Sequence, residues 1–186
     1  MEKLTYEELA EIIQPIERPK TAFNVDFLRI EDWLAREAEE QACGIDLNPD
    51  FQRGHVWSEK QQIHFMENVF RGIVDKSGLT IRFNCPKWQC EQASDSDLLD
   101  QIVCVDGLQR LTAICRFMAE EIKAFGLTKD NFPRAYFTVR NSLSCQMYEF
   151  QYRKDLLKFY LDINGGGIAH TEAELARVRE LLKEEE

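Results

Sequence analysis

V-D-G-L-Q-R-L-T-A-I, residues 105–114, sets an acid, a glycine, an amide and a guanidinium between two apolar segments. The run that leads into it, Q-I-V-C-V (101–105), is short, β-branched and bounded by turn residues, which predicts a buried strand. From Leu108 onward the apolar positions take a helical spacing, with Leu111, Ile114, Cys115 and Met118 facing inward and Gly126 near the predicted end. Asp106 and Gly107 therefore sit where a strand becomes a helix. Such a turn leaves backbone N–H groups unpaired and aims the positive end of a helix dipole at whatever lies above it, which suits phosphate. Gln109 and Arg110 fall in the first helical turn, and the planar arginine fork matches two phosphate oxygens. Asp106 is compatible with phosphate if it holds a bridging Mg²⁺ or serves as a helix cap. The plainer reading of the ten residues is an N-cap aspartate followed by a surface arginine.

A second segment, N-P-D-F-Q-R-G-H-V-W (48–57), again places glutamine beside arginine between a predicted strand and a predicted helix. Pro49, Phe51, Val56 and Trp57 supply apolar anchors that would hold Gln52, Arg53 and His55 rigidly. The plainer alternative is a loop whose arginine pairs with a surface acid.

Around these two segments the pattern alternates between helix and strand. Thr5 and Glu8 form a capping pattern for a short helix over 5–14, stopped before Pro15. Residues 16–25 are expected to be an irregular connector because of Pro15 and Pro19. I-E-D-W-L-A-R-E-A-E-E-Q predicts a helix ended by Gly44, and I-D-L (45–47) a short strand. Ser58–Phe70 begins on a good cap, carries Ile63, Met66, Val69 and Phe70 on one side, and is closed by Gly72. L-T-I-R-F alternates as a strand, and E-Q-A-S-D-S-D is expected to be a surface loop. A-Y-F-T-V is expected to be another strand, and residues 152–163 a helix ending at the glycine triplet 165–167. Thr171 and Glu174 form a capping box for a last helix with a frayed K-E-E-E end. No internal repeat is present.

With 186 residues, 44% hydrophobic and 11% aromatic, the chain fits one globular domain with a real core. Its net charge of -10 would repel DNA at long range, which disfavours a duplex-binding role. The 23 basic residues interspersed among 33 acids read as a mixed surface and argue against DNA mimicry. No apolar run approaches the roughly 20 residues a bilayer span requires, so no membrane association is expected. The start, M-E-K-L-T-Y-E-E-L, lacks the apolar core of a signal peptide. Six cysteines in mostly apolar contexts, with no second pair to complete a zinc site around Cys85 and Cys90, are expected to be free thiols in a reducing cytoplasm. Trp33, Trp57 and Trp88 are expected to be core or loop anchors, and His170 a surface or hinge residue.

Taken in order, P-D-F-Q-R-G-H-V-W, E-N-V-F-R-G-I, V-D-G-L-Q-R-L-T-A-I and Y-L-D-I-N-G-G-G with T-E-A-E-L resemble the N-terminal domain of GmrSD-type restriction enzymes. That domain lies within the ParB/sulfiredoxin-like superfamily. The resemblance implies a single α+β domain, a small mixed sheet surrounded by helices around a nucleotide-sized pocket. Residues 27–182 would be the family core, 1–26 an N-terminal helix and connector, and 183–186 a frayed tail. It implies nucleotide binding by Gln52, Arg53, Gly107, Arg110 and, more loosely, Asn164. Catalytic roles fall on Asp106, Gln109 and Arg110, with Mg²⁺ present only together with a nucleoside triphosphate and no separate metal site. Leu108 stands where the D-G-Q-Q-R signature has its first glutamine, which removes a polar contact and counts against efficient hydrolysis. A compact stand-alone form is expected, without the H-N-H-like nuclease domain into which GmrSD-type enzymes continue. The compact form is similar to small ParB-like proteins of bacteriophage genomes, which implies the cytoplasm of an infected host.

Three functions follow as expectations. The first is a nucleotide-binding domain, slow as an NTPase, in restriction or anti-restriction biology. The second is a DNA-nicking nuclease built on Asp106, with Asp50 and Asp162 as the nearest other acids in sequence. The third is a non-enzymatic regulator or decoy that binds a host protein.

Overall fold

The computed structural model describes residues 3–52, 56–88, 95–165 and 172–185. Its frame is a mixed sheet of β1 (Thr21–Asp26), β2 (Gly44–Asp46), β3 (Thr80–Asn84), β4 (Gln101–Asp106) and β5 (Ser142–Tyr148), in the order β1-β5-β3-β4-β2. β1 runs antiparallel to β5 and β4 antiparallel to β3, whereas β5 with β3 and β4 with β2 are parallel pairs. The described residues also form six α-helices, α1 (Tyr6–Ile13), α2 (Ile30–Glu40), α3 (Glu59–Phe70), α4 (Leu108–Met118), α5 (Arg153–Gly165) and α6 (Glu172–Glu184), and three short helical turns. The architecture is α+β, as the resemblance implies.

Strand alternation divides the apolar residues between the two sheet faces. On one face Ile81, Phe83, Ile102, Cys104, Leu143, Cys145 and Met147 are buried under α2, α3 and α4, with Trp33, Met66, Leu111, Ile114 and Phe117 in the same core. Each large side chain buried there stabilises the fold by about 1.5–3 kcal/mol relative to exposure. On the other face Val103, Val105 and Tyr148 meet Phe51 and the α5–α6 pair through Leu156, Leu157, Phe159, Tyr160 and Val178. That second layer covers the β4 end only. Toward β1, Ala22 and Asn24 are exposed and Ser142, Ser144 and Gln146 half-buried.

Local signals account for the helix starts. Thr5 and Ser58 cap α1 and α3, each with a reciprocal bond to the third helical residue, Glu8 or Gln61. Gly72 follows α3 with φ 74°, the left-handed conformation that glycine adopts without strain. Trp33 packs on Phe23 and Phe83, Trp88 on Phe23, and Trp57 on Phe65, so all three tryptophans are anchors. The expected Thr171–Glu174 capping box and most of the acidic loop before Asp97 lie outside the described residues.

Four expectations are corrected. The connector over 16–25 contains β1, because Pro15 and Pro19 precede the strand and remove no donor from it. A-Y-F-T-V is not a strand but enters a wide helical turn, Tyr136–Arg140. Tyr136 and Phe137 are drawn there by packing against Phe70 and Phe132, and the Tyr136 hydroxyl donates to the Phe70 carbonyl at 3.0 Å. The strand is the next segment, S-L-S-C-Q-M-Y, whose strict alternation makes it the centre of the β1–β5–β3 ladder. Gly44 does not end α2, which stops at Glu40, but opens β2; Gly126 lies well past the end of α4 at Met118.

Candidate functional site

A one-residue irregularity builds the site. In β4 the pairing with β3 runs Asn84 to Val103, Phe83 to Cys104, and then Arg82 to Asp106, leaving Val105 without an opposite residue. In an unbroken ladder Arg82 would face Val105, and Asp106 would share the face of Cys104 and Ile102. The bulge carries Asp106 to the other side, opposite Arg82. Its Oδ2 accepts from Arg82 Nη1 at 2.6 Å, and its Oδ1 accepts from Arg110 Nη2 at 2.8 Å. One carboxylate thus lies between two guanidinium groups. The three side chains are 19%, 28% and 18% exposed for Asp106, Arg82 and Arg110, so solvent screens them only in part. Arg110 also donates through Nη1 to the Ser77 carbonyl at 3.1 Å, which fixes the loop before β3.

Gly107 makes the turn from β4 into α4. Its φ of 105° lies where side chains are strained, and an added Cβ would come within 2.5 Å of Ile81 Cδ1. Asp106 lies one residue before the N-cap position, so its carboxylate serves the arginines and makes no side-chain cap bond to the helix. The N-cap aspartate of the plainer reading is not what the fold uses.

The two Q-R segments meet on this turn. Gln52 donates its side-chain amide to the carbonyl of Cys104 on β4. Gln109, in the first turn of α4, accepts the backbone N–H groups of Val56 and Trp57 at 2.9 and 3.0 Å. Residues 52 and 56 are therefore both tied to the β4–α4 junction. Arg53 and His55, between them, lie outside the described residues, as does His170.

The remaining candidates are dispersed. Asn164 is 7% exposed near the end of α5, and its amide donates to the Tyr160 carbonyl of the same helix at 2.9 Å. Asp50 accepts from Arg153 at 2.7 Å, and Asp162 lines a groove between the segment after α1 and α5. Neither joins Asp106 in any group of metal-binding side chains among the described residues. Cys43, Cys85, Cys104, Cys115 and Cys145 are free thiols; burial pushes Cys85, Cys104, Cys115 and Cys145 up to about 12. Cys90 lies outside the described residues. Arg82 is the site residue that sequence reading missed. Its only trace is a cation at a position of L-T-I-R-F whose neighbours are all buried.

An α+β domain in which an interior strand of the sheet turns through D-G-x-Q-R into a helix, with a second Q-R segment tied to that turn, defines a class. The family model for the N-terminal domain of the GmrSD restriction endonuclease matches residues 30–165. The chain belongs to that family. No curated protein and no solved structure matches it. Among the described residues no helix is long and apolar enough to cross a membrane.

Proposed function

We propose that the chain is a nucleotide-binding domain working in restriction or anti-restriction biology, and that the phosphates of a nucleoside triphosphate sit over the β4–α4 turn. The observation that carries this is the charge balance at Asp106. Two guanidinium groups around one carboxylate leave a local excess of one positive charge, half-shielded from water, in a chain of net charge -10. The backbone N–H groups at the start of α4, opened by Gly107, add donors at the same spot. Arg110 would meet phosphate oxygens, and Arg53 remains a proposed partner on the adjoining segment.

Binding with slow or absent turnover is the form of this reading that the side chains favour. Gln109, the candidate for orienting a water, already accepts two backbone N–H groups. Asp106 has one oxygen on each arginine, and that donor set does not suit a resident Mg²⁺; an ion arriving with the nucleotide would be carried by the phosphates. The same dispersal of acids disfavours the nuclease reading, which needs several carboxylates on one metal site. A ParB/sulfiredoxin-like ancestry and a host-protein target are compatible with this proposal and are not required by it.

Isothermal calorimetry with each of the four ribonucleoside triphosphates and Mg²⁺ tests the proposal. Saturable binding of at least one, lost in Arg110→Ala, is the expected result. No heat from any of the four would overturn it.

A further inference from the structure

We infer that Arg82 is a second phosphate-binding cation of this site, working beside Arg110 on the polyphosphate of the nucleotide; the inference rests on the reading above. Arg82 belongs to neither Q-R segment, yet the bulge at Val105 brings Asp106 into register with it. Among the described residues its only ion pair is Asp106, and that carboxylate is shared with Arg110. The charge left over therefore belongs to the pair of arginines and not to Arg110 alone.

The other side of Arg82 is lined by uncharged polar groups, with the Glu17 carboxylate near enough to act on the Tyr148 hydroxyl. On β5, Gln146 lies directly opposite it in the register, and the Tyr148 hydroxyl, in contact with the guanidinium, donates to Gln146 Oε1 at 3.3 Å. Charged and neutral polar groups thus form a lane from Arg110 on α4 through Arg82 on β3 to Gln146 on β5. It lies toward the part of the sheet face that α5 and α6 leave uncovered, where Ser144 and Gln146 are half-buried and Asn24 is exposed. Arg82 spends Nη1 on Asp106, and Arg110 spends Nη2 on Asp106 and Nη1 on the Ser77 carbonyl, so each five-donor fork keeps further N–H groups for an anion. Two such forks flanking one carboxylate suit a ligand with successive phosphoryl groups better than one with a single phosphate.

The test compares wild type, Arg82→Lys, Arg82→Gln and Arg110→Gln, each checked for folding by circular dichroism and thermal melting. Binding is measured for a nucleoside triphosphate, the matching monophosphate and inorganic tripolyphosphate. Arg82→Gln is expected to weaken triphosphate and tripolyphosphate binding by about tenfold or more while changing monophosphate binding much less, since charge-assisted bonds to phosphate are strong. Arg82→Lys should recover part of the loss by restoring the charge. If Arg82→Gln melts like wild type and binds triphosphate equally well while Arg110→Gln does not, Arg82 only supports Asp106 and the inference is wrong. Should Arg82→Gln fail to fold, Arg82→Lys decides: an unchanged preference for triphosphate over monophosphate in that variant overturns it. Absence of binding by wild type to all three ligands removes both this inference and the reading beneath it.

Discussion

Gln109 and Val56 stand 53 positions apart in the chain and 2.9 Å apart in space, joined by a side-chain oxygen that also accepts from Trp57. A single amide thereby ties the end of one Q-R segment to the beginning of the other. Gln109→Ala should leave two backbone donors without their partner. A loss of about 1–3 kcal/mol in urea denaturation is expected, given the cost of an unmet backbone donor in a partly buried place. Hydrogen exchange at Val56 and Trp57 should quicken, whereas Gln109→Glu should retain slow exchange. Unchanged exchange in the alanine variant would show that the contact does not hold the loop.

Asp106 has the opposite dependence on its neighbours, since it neutralises two cations at once. Asp106→Ala leaves Arg82 and Arg110 facing each other with no anion between them. Full burial would make that cost about 3–5 kcal/mol. At roughly a fifth exposure, solvent compensates part of it, and about 1–3 kcal/mol is the expected loss. Added phosphate or sulfate should restore stability to this variant more than to wild type. Equal effects of the anions on both proteins would count against a cationic site.

Gly107→Ala should be costly for a steric reason. A positive φ of 105° combined with a Cβ placed 2.5 Å from Ile81 Cδ1 forces either the turn or the core to move. About 1–3 kcal/mol of destabilisation follows from such a backbone conformation, read as a lower melting temperature. Gly72→Ala is the control, since it also has positive φ but nothing lies within 4 Å of the added carbon. The two variants melting alike would mean that packing on Ile81 adds nothing.

The thiols should give the protein an alkaline limit. Burial raises Cys85, Cys104, Cys115 and Cys145 from the ordinary value of 9.0 to about 12, so these groups stay protonated in the folded chain after they ionise in the unfolded one. Their contribution to stability is complete well below pH 9 and declines as pH rises toward 12. Urea midpoints measured under reducing conditions at pH 7, 9 and 10.5 should begin to fall by the second, where half of the unfolded thiols are ionised, and fall more steeply between the second and the third. Among these five described cysteines, Cys43, partly exposed and less shielded, should be the first to react with an alkylating reagent in the native protein.

Much of the β4–α4 unit could be read from the chain because each signal there was local. An apolar β-branched run, a glycine and a helical spacing follow one another within eighteen residues, 101–118. β1 and β5 were harder to see for different reasons. Prolines before Thr21 imitate a connector, and the aromatic, β-branched A-Y-F-T-V has strong strand propensity that tertiary packing overrides. Gln52, Asp106, Gly107, Gln109 and Arg110 were all legible as a set through their types and spacing. Their partners were not, because Cys104, Arg82 and the backbone of Val56 reach them across the fold. Arg82 in particular depends on a pairing irregularity that no residue type announces.

The unpaired residue at position 105 lets two successive side chains, one apolar and one charged, face the same side of β4. Excising Val105 would give an unbroken ladder in which the carboxylate follows Cys104 directly and still falls opposite Arg82, while the second apolar layer loses the Val105 side chain. The opposite change, regular pairing with Val105 kept, would send an ionised group into hydrocarbon and strip both arginines of their shared anion. One extra residue thus lets hydrocarbon for the second layer and the anion of the site come from neighbouring positions, which an even two-residue alternation forbids.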